Sequence, residues 1–124
     1  MPFYIFKFIF LFFISIAVCQ AENKITHPCS KQDKREITNA IKYYLDHGNS
    51  AIPSSHTDIM REQCINNFAS AIAHPKKHET DDAIVYLQKT NNKWKVITLG
   101  TDFGDTLDKL NIPKKLQDVT NLKY

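Results

Sequence analysis

The sequence predicts an α+β fold: an N-terminal amphipathic helix packed on a small antiparallel sheet (a meander), followed by short C-terminal helices. Three observations predict it. Apolar residues recur at helical period over residues 31–47. Two β-rich runs, residues 82–89 and 93–99, are separated by hairpin chemistry. Beyond Gly100, cap and proline signals mark two short helices. One helix laid on one face of a small sheet is the economical way to bury both apolar surfaces.

The chain opens on a sorting signal. Residues 8–18 form an apolar run, preceded by Lys7 and closed by the short residues Ala17, Cys19 and Ala21. This is the plan of a secretory signal peptide, and the run is shorter than the roughly 20 residues of a membrane span. We expect residues 1–21 to be a signal peptide and residues 22–124 a single small domain, exported, periplasmic or secreted. The alternative is a lipoprotein. Ile16-Ala17-Val18-Cys19 loosely resembles the bacterial lipoprotein cleavage box, with Val18 where that box carries Gly, Ala or Ser. The mature chain then holds no transmembrane anchor unless Cys19 is lipidated.

Removing residues 1–21, which hold one base and no acid, leaves 103 residues at a net charge of +2. A chain of that size buries about two-thirds of its unfolded surface, an adequate core. Charges of both signs are interspersed, and Lys76-Lys77 and Lys114-Lys115 are isolated pairs. No nucleic-acid partner is expected.

Each element has its own signal. Ser30-Lys31-Gln32-Asp33 matches a capping box, with Ser30 accepting a backbone N–H three residues on and Asp33 reaching back. Behind it Ile37, Ala40, Ile41, Tyr44 and Leu45 form an apolar stripe, and Lys34, Arg35, Glu36, Asn39, Lys42 and Asp46 take the other face. Gly48 reads as a left-handed stop, and residues 49–56 as a loop. Residues 57–73 fit two periods. Met60, Cys64, Phe68 and Ile72 recur every fourth residue, as in a helix. At period two, Cys64, Phe68 and Ile72 share one face and Ile65, Ala69, Ala71 and Ala73 the other. Small alanines leave room for a helix to pack closely, so strands are preferred, with a kink at Asn66-Asn67 and Cys64 at the start of the first core strand.

Residues 74–81 read as an exposed connection into the hairpin. Thr90-Asn91-Asn92 supplies the turn, because Asn tolerates the left-handed region. In the second strand Trp94, Val96 and Thr98 alternate with Lys95, Ile97 and Leu99. Gly100 ends the sheet. Asp105 caps a helix through Leu107 and Leu110 that Asn111 closes, and Pro113 opens a last one through Leu116 and Val119. This order resembles cystatin-like folds in architecture, an analogy that carries little functional weight.

The C-terminal half also resembles a pattern in small exported bacterial proteins of unknown function. Cys64, Phe68-Ala69-Ser70-Ala71, Ala83-Ile84-Val85-Tyr86-Leu87, Lys93-Trp94-Lys95-Val96-Ile97, Gly100-Thr101 and Ile112-Pro113 carry it. The resemblance implies a strand of small residues, a hairpin with Trp on its second strand, and a hydrophobic-Pro step into a last helix. It implies no activity and transfers no site residue.

Candidate chemistry is sparse. Cys29 and Cys64 are an even pair in an exported domain and read as one disulfide. Loop-closure entropy makes such a bridge worth about 3–4 kcal/mol. His56, His74 and His78 are candidate binding residues, but Pro75 opposes a helix there, and two histidines four apart fall short of a zinc ligand set. We expect exposed loop histidines, no metal and no cofactor. Glu79, Asp81 and Asp82 lack calcium-loop spacing and read as turn capping. Asp102-Phe103-Gly104 stands without any other kinase feature. Trp94 reads as core. Tyr43, at the edge of the stripe, is a candidate exposed contact residue. The functional expectation is a non-catalytic binding or interaction protein of the bacterial cell envelope, inhibitor or immunity type, with an unknown protein or small ligand as partner. The alternative is a small-ligand or metal-binding periplasmic protein.

Overall fold

The computed structural model describes residues 28–48, 52–77 and 81–118. The expected signal peptide, Cys19, His78, Glu79 and Val119 lie outside these residues. The described elements run α1 (Lys31–His47), a 3-10 turn (Ser54–His56), β1 (Thr57–Ile65), β2 (Phe68–Pro75), β3 (Ala83–Thr90), β4 (Lys93–Gly100), α2 (Thr106–Lys109) and α3 (Lys114–Gln117). The strands form one antiparallel sheet in the order β1-β2-β3-β4. The expected α+β meander is present, with its long helix starting at Lys31 rather than at the chain's N-terminus.

α1 starts where the cap predicts. Ser30 Oγ accepts the Asp33 backbone N–H at 3.0 Å. Asp33 does not close a capping box. Its Oδ1 instead accepts from Trp94 Nε1 at 3.0 Å and from Lys89 Nζ at 3.4 Å. Ile37, Ile41 and Leu45 are buried, whereas Tyr44 on the same stripe is 40% exposed. The helix stop differs from expectation. Gly48 is extended (φ −95°, ψ −166°), and its N–H reaches the Tyr44 carbonyl at 2.8 Å. A Cβ there would lie 2.7 Å from that carbonyl oxygen, so close approach rather than left-handed backbone requires glycine.

Residues 57–73 are strands, and the kink at Asn66-Asn67 is a full hairpin turn, with Asn66 at φ 54°. That turn reassigns the faces. Cys64 pairs with Ala69 and joins the alanine face, and it stands near the end of β1 rather than at the start of a strand. Ala69, Ala71 and Ala73 pack with Ile37, Ile41, Leu45, Val85, Leu87 and Trp94 beneath α1. β4 departs from simple alternation. Tyr86 pairs with Thr98 and Leu87 with Val96, so a bulge on β4 brings Leu99 to the helix side and leaves Ile97 on the opposite face. A second bulge between Met60 and Gln63 holds Arg61 at φ 56°.

β2 runs further than the sequence implies. His74 and Pro75 belong to it, paired with Asp58 and Thr57, and Pro75 is buried. The other face of the sheet carries Tyr86, covered by Leu107, Ile112 and Leu116 from the C-terminal segment. Asn91 and Asn92 turn the β3–β4 hairpin with φ 51° and 61°. The disulfide joins Cys29 to Cys64 across 35 residues, with Cα atoms 5.0 Å apart. It fastens the entrance of α1 to β1.

Candidate functional site

α1 and the edge strand β4 meet along an open groove of about 510 Å³. Its helix wall is Ala40, Tyr43, Tyr44 and His47, and its sheet wall is Trp94, Lys95 and Val96. Helical spacing explains the first wall. Residues 40, 43, 44 and 47 line one flank of α1, beside the buried stripe of Ile37, Ile41 and Leu45. Strand geometry explains the second. Trp94 and Val96 lie two apart on the helix side of β4.

Tyr43 is 65% exposed. Its ring stacks on His47 at 4.0 Å between centroids. His47 Nδ1 lies 2.9 Å from the Tyr43 carbonyl, an oxygen that can only accept, so Nδ1 carries the hydrogen. The two side chains brace each other in place. Trp94 is nearly buried, and its indole N–H is held by Asp33. That hydrogen bond is the main cause that holds the Asp33 carboxyl below its ordinary value, with Ser30 and the Lys89 ammonium adding to it against desolvation. Lys89 also lies over the Trp94 ring, 5.7 Å from its centroid. Groove floor and helix entrance are thereby locked together.

The lining offers aromatic faces with polar tips at the rim. That is the chemistry of recognition, where Tyr and Trp are enriched. The groove gathers Tyr43 from among the expected site residues and leaves the histidines elsewhere. His56 sits exposed in the 3-10 turn, where its carbonyl accepts the Lys76 N–H at 2.8 Å. His74 is half-buried on β2, not in a loop, with Nδ1 2.5 Å from Asp82 Oδ1. Asp82 is therefore the partner of His74 rather than a cap for an exposed turn. Among the described residues, no three of His, Cys, Asp and Glu gather as a metal-ligand set.

Sequence reasoning missed Tyr44, His47 and Val96 as wall residues. Tyr43, Tyr44 and His47 fall at i, i+1 and i+4, a signal for one helix flank that was open to reading. It also missed a basic flank. Lys31, Lys34, Arg35 and Lys42 line one shallow surface of α1 together with Thr38 and Asn39. Scanning for runs of adjacent lysines cannot detect cations that helical turns bring together. Among the described residues, no helix is long and apolar enough to cross a membrane. Compared with known proteins, the chain matches no family model, no curated protein and no solved structure.

Proposed function

We propose that this chain is an exported, non-catalytic binding protein of the bacterial cell envelope that takes a partner protein in the α1–β4 groove, as an inhibitor or immunity-type protein does. The observation that carries the reading is the pair Tyr43 and Tyr44, 65% and 40% exposed beside a groove floored by Trp94 and Val96. Tyr43, braced by His47 in one orientation, costs little entropy to dock. The apolar run at residues 8–18 and its small-residue exit support export, and the Cys29–Cys64 bridge fits an oxidising compartment. Cleavage near Ala21 releases the domain; acylation at Cys19 would instead hold it at a membrane.

A second reading is a small-ligand protein using the same groove. Its volume of about 510 Å³ falls within the roughly 300–1,000 Å³ of small-molecule sites. Cross-linked capture from envelope extract, compared between the full chain and its Tyr43→Ala/Tyr44→Ala variant, tests the first reading. We expect one discrete protein partner to be retained by the wild type and lost by the variant. Equal capture by both would sink the groove as the docking surface. Native mass spectrometry showing a small molecule carried through purification would favour the second reading.

A further inference from the structure

We propose that the basic flank of α1 seats this protein on an anionic phospholipid surface, whatever the groove on the other flank binds. Lys31, Lys34, Arg35 and Lys42 share one shallow surface, all are exposed, and none forms an ion pair among the described residues. The carboxylates of α1 make their hydrogen bonds to other groups. Asp33 holds Trp94 and Lys89, Asp46 accepts from the Ser54 N–H and hydroxyl, and Glu36 accepts from Gln32. Asp46, one turn from Lys42, is the single counter-charge on this flank, and Lys31, Lys34 and Arg35 have no ion-pair partner among the described residues.

Helix stability does not ask for this arrangement. Lys31, Lys34 and Arg35 occupy the N-terminal turns, where the helix dipole already presents positive partial charge. Both the dipole and mutual repulsion act against them. An external anionic surface reverses that sign, and contact would run through the side chains.

The flank itself selects the occupant. Its uncharged members are Thr38 and Asn39, while the exposed aromatics Tyr43 and Tyr44 lie on the opposite flank. A protein interface is anchored by buried aromatic or apolar residues inside a polar rim. Charge without an anchor suits the diffuse attraction of lipid headgroups. Twelve residues separate Val18 from Lys31, a reach of at most about 40 Å. Were Cys19 acylated, this flank would supply the polybasic second signal that a lipid anchor uses. Seated this way, the groove flank of α1 stays open to a partner.

The test uses the full chain and vesicles of phosphatidylglycerol and phosphatidylcholine in equal parts, against phosphatidylcholine alone, read by co-sedimentation. The preference for the anionic vesicles is the measured ratio, so contact by the apolar run cancels. Each cation near such a surface contributes about fivefold (about 1 kcal/mol). Lys34→Glu/Arg35→Glu should therefore reduce the ratio by at least about 25-fold. Salt at about 1 M, with a Debye length of about 3 Å, should abolish the wild-type preference. The same substitutions place acids in the N-terminal turns, so the melting temperature should hold or rise as binding falls. Lys76→Glu/Lys77→Glu, an equal charge change in the turn after β2, should retain most of the preference. Three outcomes overturn the proposal: no preference for the anionic vesicles, an equal loss in both double variants, or inorganic polyphosphate binding the flank as tightly as the vesicles do.

Discussion

On one face of the sheet, Ala69, Ala71 and Ala73 lie under a helix of 17 residues. On the other, Tyr86 stands fully buried under two helices of 4 residues each. Small residues let a long helix approach closely, and the helix then supplies the bulk through Ile37, Ile41 and Leu45. The opposite face supplies its own bulk. Tyr86 fills the space, its hydroxyl donates to the Leu116 carbonyl at 3.1 Å, and Phe103 packs edge-on at 5.3 Å. Helices of one turn cannot persist alone, so this cover depends wholly on what it packs against. The faces differ in covalent support as well: the Cys29–Cys64 bridge ties the α1 side. Both surfaces proposed to bind lie on α1, the better-anchored cover.

Breaking the stronger tie should have the largest effect. Cys64→Ser removes a 35-residue closed loop, worth about 3–4 kcal/mol. At about 4–8 °C for each 1 kcal/mol, a fall in melting temperature of at least about 12 °C is expected by calorimetry. A change of a few degrees would mean that packing alone anchors α1.

Leu116→Ala tests the weaker cover. Leu116 is 1% exposed within the Tyr86 cluster, and a buried Leu→Ala change costs about 2–5 kcal/mol. We expect the lower end, about 2–3 kcal/mol, because a one-turn helix relaxes easily. Native-state hydrogen exchange should show amides of residues 106–117 opening while those of α1 stay protected. Uniform loss of protection would show that the two covers unfold as one unit.

A smaller effect is expected from acid. The hydrogen bond from Trp94, first among the causes, holds the folded Asp33 carboxyl below its ordinary 3.8. A depressed carboxylate stabilises the fold above the unfolded value and loses that contribution as pH falls through the folded value. With side-chain exposure of 26%, the pair contributes about 1 kcal/mol near neutral pH. Wild type should therefore melt a few degrees above Asp33→Asn at pH 6, the gap closing as pH falls below the ordinary 3.8 and through the lower folded value. A gap that persists in acid would assign the effect to packing.

The smallest change concerns Ser70, fully buried, whose hydroxyl has no hydrogen-bond partner among the described residues. Ser70→Ala should be neutral or stabilising by up to about 1 kcal/mol, because an unpaired buried hydroxyl costs free energy. A loss of stability in denaturant titration would reveal a partner for that hydroxyl.

Elements with local signals were legible in the chain. The Ser30 cap, the Ile37/Ile41/Leu45 stripe, the Asn91-Asn92 turn and the Pro113 start each depend on neighbours within a few residues, where backbone preference and hydrogen bonding act directly. The Cys29–Cys64 bridge was legible because two cysteines in the expected mature chain allow one intramolecular pairing. Other features arose from long-range packing. Asp33 turned from its own cap to Trp94, 61 residues away, because an indole N–H at the edge of a core demands an acceptor. The turn at Asn66 moved Cys64 to the alanine face, and the β4 bulge moved Leu99 to the helix side; a single-residue change of register inverts a strand's faces. Tyr43 was legible as an exposed residue. That it faces Trp94 and Val96 across a groove follows from how α1 lies on β4, a relation no local pattern encodes.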